Sequence, residues 1–187
     1  MRFARLLSTF LLTVCTSSAY GVPWPLEPTG STHQIYEGYG QFSTNNVGGE
    51  IHFHEGIDIK ANDGDAVKAV DGGIIEERHK DGSSNYNQFL TISFPADVTK
   101  AWGYVHIRFG INPVTLSEWK VGDVVNAGDI LGQVHQIPGV YSHLHFEQDN
   151  NNDGYDHFDT GGSIAALNGD PLEFLVTATD AEKPIVE

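Results

Sequence analysis

Between Gln34 and Asn152 the chain is cut into short apolar-alternating runs, each closed by glycine or by Asp-Gly. Ala66 to Val70, Gly73 to Glu77, Gln88 to Phe94, Gly103 to Ile107 and Leu131 to Val134 are such runs. Each has the length and the period of two of a strand, and each has a turn signal beside it. Helical periodicity is confined to two short stretches, Gly162 to Leu167 and Asp170 to Leu175. This punctuation predicts an all-β domain with minor helix, built as an antiparallel β-sandwich or barrel-like pair of sheets. With 187 residues the chain suffices for one domain with a sizeable core, and its 21 glycines suit many tight turns.

The segment Lys120-Val-Gly-Asp-Val-Val-Asn-Ala-Gly-Asp-Ile-Leu-Gly-Gln-Val134 sharpens the picture. Its repeated Gly-Asp predicts two tight reversals around one short strand, with the glycines at positive φ and the aspartates tying turn amides. A similar pattern occurs in lipoyl-type domains, so it bears on fold and not on function.

The first twenty residues are of another kind. Arg2 and Arg5 precede a largely apolar run from Leu6 to Cys15, and Ser17-Ser18-Ala19 supplies small residues, so a signal peptide cleaved after Ala19 is expected. The apolar run falls short of the ~20 residues of a membrane span. Val14 stands before Cys15 where a lipoprotein would carry a smaller residue. The expected destination is the periplasm or the extracellular space. Cys15 is the only cysteine, so the mature chain would have neither disulfides nor thiolate ligands, and any metal would be held by His, Asp or Glu. Loss of Arg2 and Arg5 takes the formal net charge from −15 to −17, which argues against nucleic acid or an anionic membrane surface as partner. A proline-rich stretch follows the leader and is expected to run extended into the domain over residues 20–33. The domain itself is placed at 34–176, with a tail at 177–187.

Nine histidines are many for this length, and their spacing carries the chemistry. In His143-Leu144-His145-Phe146 the two imidazoles fall on one face of a strand and the two apolar side chains on the other. His54 and Asp58 stand four apart around Gly56, close enough for both heads to reach one ion. His106 ends another strand pattern. Each group alone is explained by ordinary structural histidines or a His–Asp hydrogen bond. Together they supply what a catalytic zinc requires, about three nitrogen and oxygen ligands with one position left open. His54, Asp58 and one of His143 and His145 would fill that set, leaving two histidines for proton transfer.

These residues carry a resemblance to a known family. His54-x-Gly-Ile-Asp58-Ile59, Val67-x-Ala-Val-Asp-Gly-Gly73, Tyr104-x-His106-Ile107, the Val121-Gly-Asp to Ile130-Leu-Gly132 segment, His143-Leu-His-Phe-Glu147 and Asp170-Pro171-Leu172 follow one another as in the lysostaphin-type (LytM-like) zinc endopeptidases that cut peptidoglycan peptides. The span from about Gln34 to Leu175 resembles that family in order and spacing. The resemblance implies a two-sheet, duplicated-hybrid-motif-like fold, with His54, Asp58 and His145 as ligands of one Zn2+. It further implies that His106 and His143 handle protons and steady the tetrahedral intermediate, without deciding which does which. Peptidoglycan stems or cross-links are the implied substrate, cleaved by a monomer. A non-catalytic regulator of another wall hydrolase and a secreted protease acting on glycine-rich proteins are the alternatives. His33, His52, His79, His135 and His157 have no family role and are read as surface or structural, although His52 is close enough to His54 to share its face.

Two departures stand out. The loop before the HxH reads His135-Gln-Ile-Pro-Gly-Val-Tyr-Ser142 in place of the glycine-rich Gly-Pro loop of the relatives, which bears on side-chain preference. After Glu147, Asp149, Asn151 and Asp153 followed by Gly154 resemble the start of a calcium loop, so Ca2+ is a candidate at Asp149–Asp153, although Thr160 stands where a bidentate acid belongs.

Overall fold

A computed structural model of the chain describes residues 21–43, 52–80, 88–150 and 168–175. The leader, the Gly162 to Leu167 stretch, most of the candidate calcium loop and the tail lie outside the described residues. The strands are β1 (Ile35–Glu37), β2 (Phe42–Ser43), β3 (His52–Phe53), β4 (Ile57–Lys60), β5 (Ala66–Lys68), β6 (Gly73–His79), β7 (Phe89–Ser93), β8 (Ala101–Val105), β9 (Ile107–Phe109), β10 (Ile111–Asn112), β11 (Ser117–Glu118), β12 (Val124–Val125), β13 (Ile130–Val134), β14 (His143–Asp149) and β15 (Asn168–Gly169). A 3-10 turn at Pro171–Glu173 stands where the second helical stretch was expected.

The expected all-β, two-sheet architecture is present. An eight-stranded sheet runs β1-β4-β14-β8-β7-β6-β12 with β15 also on β14, and a three-stranded sheet runs β5-β13-β9. Every pairing between these strands is antiparallel. One core cluster joins the two sheets. Ile57, Ile59, Ile92, Trp102, Tyr104, Leu144 and Phe146 come from the large sheet, and Val67, Ile107, Leu131 and Val134 from the small one. Trp102 stacks on Phe94 and Phe146, with ring centroids 4.7 and 5.2 Å apart, and so places most of its large apolar area in the core.

The proline-rich segment packs onto this core rather than skirting it. Trp24 and Leu26 belong to the core cluster, the Lys68 amide donates to Pro25 O at 2.8 Å, and the Val22 amide donates to Phe174 O at 2.6 Å. Both Gly-Asp reversals take the expected form. Gly122 and Gly128 each have φ +87°, Asp123 accepts from the Lys120 amide at 3.0 Å, and Asp129 accepts from the Asn126 amide at 2.8 Å.

One expected strand is broken. Gly103 to Ile107 does not continue straight, because His106 takes φ +62° and turns the chain out of the large sheet at β8 and into the small sheet at β9. Alternation alone could not reveal that corner, since apolar residues continue on both sides of it.

The two sheets are also joined by a polar contact. The Val70 amide donates to the hydroxyl of fully buried Tyr104 at 3.0 Å. Tyr104→Phe would leave that buried amide unsatisfied, a loss of about 1–3 kcal/mol. Urea unfolding should show a lowered midpoint with an unchanged slope; an unaltered midpoint would mean that the bond contributes nothing.

Candidate metal centre

The site is assembled by strand register. On β14, His143 stands opposite Lys60 and His145 opposite Asp58 of β4, while on the other side His145 stands opposite Val105 of β8. Because side chains alternate, Leu144 and Phe146 enter the core, both fully buried, and His143 and His145 share the opposite face. His54 arrives from the bend before β4. Its amide donates to Gln41 O at 2.8 Å, and its Nδ1–H donates to Gly38 O at 3.1 Å.

Three donor atoms then form a tight triangle. His54 Nε2 is 3.0 Å from His145 Nδ1 and 3.2 Å from Asp58 Oδ1, and His145 Nδ1 is 3.1 Å from Asp58 Oδ1. A tetrahedral zinc with bonds of ~2.0–2.1 Å separates its ligand atoms by ~3.3 Å, so the triangle has nearly the size of a zinc shell. The outer nitrogens are already committed: the Nδ1–H of His54 to Gly38 O, and the Nε2–H of His145 to Glu147 Oε2 at 3.3 Å. With those outer hydrogens in place, a cation that displaces the protons shared with Asp58 would find lone pairs on His54 Nε2 and His145 Nδ1, the atoms of the triangle, as neutral metal-ligating imidazoles require. The three residues fit a zinc ion in donor type, tautomer and spacing.

Electrostatics point the same way. Burial works against the Asp58 carboxylate, but hydrogen bonds from His145 and His54 outweigh it and hold the group ionised, well below its usual range. Burial likewise opposes a charge on His145, yet its bonds to Asp58 and Glu147 push it up to about 10. Two buried carboxylates therefore draw positive charge to this point. A proton on His145 is one answer to that demand, and a divalent cation that displaces it is another.

His143 and His106 line the same pocket of side chains outside the triangle. His143 Nε2 is 3.4 Å from Asp58 Oδ2, its Nδ1–H donates to Tyr141 O at 2.9 Å, and its ring lies 4.8 Å from that of His106. Burial pushes the His143 imidazole below its usual value against the opposing pull of Asp58. The His106 ring is 6.3 Å from His145, and it projects from the left-handed corner between the sheets. All five residues selected from the sequence thus converge. His33 packs on Trp24 and bonds to Pro28 O, His79 stacks on Phe89, and neither is near the triangle. His52 lies in β3, and His157 is outside the described residues.

Sequence reasoning gave no role to Glu147, Gly103 or Tyr141. Glu147 is only 2% exposed, and it fits because Gly103 stands opposite it on β8; a Cβ there would lie 2.4 Å from Glu147 Cγ. The signal was available in the Glu147 that ends the HxH strand, two residues after His145 and therefore on the same face. The Tyr141 hydroxyl donates to Asp58 Oδ2 at 3.3 Å, and burial together with the Asp58 and Glu37 carboxylates keeps the phenol protonated far above its usual range. Of the candidate calcium loop only Asp149 and Asn150 are described, and Asp149 is buried at the end of β14.

A buried His-Asp-His triangle on an antiparallel sheet, with two further imidazoles beside it, defines a metallohydrolase-type centre. The pattern of peptidase family M23 matches residues 52–157, over half of the chain, and the chain belongs to that family. Among solved structures, the catalytic domain of the antimicrobial peptidase lysostaphin from Staphylococcus simulans is 27% identical with a TM-score of 0.55, over 76% of this chain and 92% of that one. Full lysostaphin is 24% identical with a TM-score of 0.59, covering 84% of this chain, which spans 55% of lysostaphin's length. LytU shares the fold at 24% identity and a TM-score of 0.54, over 77% of this chain and 85% of that one. No curated protein is matched by sequence.

The contact from Glu147 to His145 can be tested directly. Glu147→Ala should weaken zinc binding by about 10–100-fold, the usual effect of removing an outer partner of a ligating imidazole. Competition with a chromophoric chelator measures this, and unchanged affinity would show that Gly38, Asp58 and the strand register suffice to set the site.

Proposed function

We propose that the protein is a zinc-dependent endopeptidase that hydrolyses peptide bonds of bacterial peptidoglycan, exported by its leader to act in the periplasm or outside the cell. The observation that carries this reading is the convergence of His54, Asp58 and His145 on one point, with His143 and His106 at its edge, in a chain of the M23 family. The likeness to the catalytic domain of lysostaphin supports a wall peptide as substrate. The presence of all five side chains favours catalysis over a purely regulatory domain.

His54, Asp58 and His145 would hold the zinc. When bound, the ion supplies Lewis acidity, making water nucleophilic at neutral pH and polarising the scissile carbonyl. The chain's own residues do the rest. His143 keeps its Nδ1–H on Tyr141 O, so its Nε2 presents a lone pair to the site. Burial keeps that ring neutral at pH 7 and ready to accept the proton of the attacking water. The same Nε2–H can then protonate the leaving amine. His106, across from His143, is placed to donate to the developing oxyanion. Tyr141 holds the outer oxygen of Asp58, leaving its inner oxygen to the triangle.

His143→Ala should reduce kcat by about 10²–10⁴-fold while zinc content is retained, whereas His54→Ala should lose zinc as well. Digestion of defined muropeptides, followed by mass analysis with and without chelator, reads both effects. Cleavage that survives both substitutions would reject the mechanism. The His143 base is deprotonated above its lowered pKa, so kcat/KM should hold at neutral pH and fall only below the ordinary imidazole value of 6.5.

The corner at His106 yields a separate expectation. A left-handed backbone costs a non-glycine residue about 1–2 kcal/mol. Both His106→Gly and His106→Ala should lose activity, yet the glycine variant should be the more stable of the two by about 1 kcal/mol in urea unfolding. Equal stability would mean that the corner is not strained.

A further inference from the structure

The face that carries His143 continues away from the metal triangle as a ledge. The Tyr141 ring lies 5.0 Å from the His143 ring and 4.4 Å from that of Tyr36, and the Lys60 Nζ sits 5.9 Å from the centre of the Tyr36 ring. Lys60 is also the register partner of His143, so the ledge leaves the candidate catalytic histidine along one strand-to-strand step. Tyr36 and Tyr141 are 36% and 43% exposed, offering a substrate two aromatic surfaces beside the reacting groups.

The charge along this ledge is uneven. In a chain with 25 acids and 10 lysines and arginines, Lys60 makes no ion pair with a described carboxylate, whereas Lys68, Arg78, Lys80, Lys100 and Arg108 each do. Lys60 spends one of its three donors on the neutral Gln34 Oε1 at 3.1 Å. It also lines a cavity of about 260 Å³, whose acids are already engaged, Glu27 by Lys68 and Asp65 by the amide and side chain of Asn62. At the opposite end, beside the Tyr141 phenol, stand the carboxylates of Asp58 and Glu37. The Tyr141 phenol is thus already shared with carboxylates, whereas the Lys60 ammonium has donors left for a negatively charged group on a bound peptide.

We propose that Tyr36, Tyr141 and Lys60 form a substrate subsite for a peptide residue bearing a free carboxylate, with the tyrosines packing along its backbone or side-chain stem and the Lys60 ammonium taking its charge. The subsite rests on the peptidase reading and adds a substrate class to it: stems with ionised side-chain or terminal carboxylates over amidated ones. It also accounts for the departure of the loop before the HxH, since Tyr141 belongs to that loop.

The test uses the full zinc-loaded chain and two synthetic muropeptide dimers that differ only in having their stem carboxylates free or amidated. The wild type should cleave the free-carboxylate dimer with a kcat/KM about tenfold higher, as a charge-assisted hydrogen bond would give. Lys60→Gln should bring the ratio close to one, with the loss falling on KM, and Lys60→Glu should invert it. Equal cleavage of both dimers, with a ratio that Lys60→Gln leaves unmoved, overturns the subsite while the peptidase reading stands. If neither dimer is cleaved the peptidase reading fails. Calorimetric binding of the two dimers to wild type and Lys60→Gln then decides the subsite on its own, equal affinities rejecting it.

Discussion

A carboxylate with 5% of its surface exposed cannot stay ionised unless positive or donor groups surround it, and Asp58 is such a carboxylate. Its inner oxygen faces His54 and His145, while its outer oxygen faces His143 and the Tyr141 hydroxyl. Those four side chains come from the bend before β4, from β14 and from the loop before it. They meet only if β14 pairs with β4 in the one register that puts His145 opposite Asp58. A shift by one residue would turn both histidines of β14 into the core and bring Leu144 and Phe146 out of it. The apolar packing that fixes the sheet and the polar cluster that holds the metal therefore enforce the same alignment.

A second carboxylate adds to the demand. Glu147 lies on the same face of β14, and the glycine opposite it on β8 clears the space it fills. Asp58 and Glu147 place two carboxyl groups against the imidazoles of His54, His143 and His145, a set of oxygen and nitrogen donors that suits a divalent cation. The acidic character of the chain thus has a local counterpart at its centre.

Much of this was legible in the sequence. The Gly-Asp reversals and the alternation of β14 follow from local spacing, because turn geometry and strand period are local properties, whereas the grouping of His54, Asp58, His106, His143 and His145 came from the family resemblance that their motifs carry. Three features were not legible. The break at His106 depends on a single left-handed residue within an apolar run. The 3-10 turn at Pro171–Glu173 stands where a longer helical pattern was read, because Pro171 and the Asp170 cap start a helix that ends after one turn. The ledge from His143 to Lys60 depends on which residues face each other across strands, and register between segments some eighty residues apart has no signature in either segment.

His54 and His143 are each steadied from behind by a main-chain oxygen, of Gly38 and Tyr141 respectively. A carbonyl is common to every amino acid, so the anchor at position 141 survives replacement of its side chain. The phenol there can change without releasing the imidazole next to it. The general base is thus held independently of the side chain at 141, while the bond from the Tyr141 hydroxyl to Asp58 ties that side chain to the metal site instead.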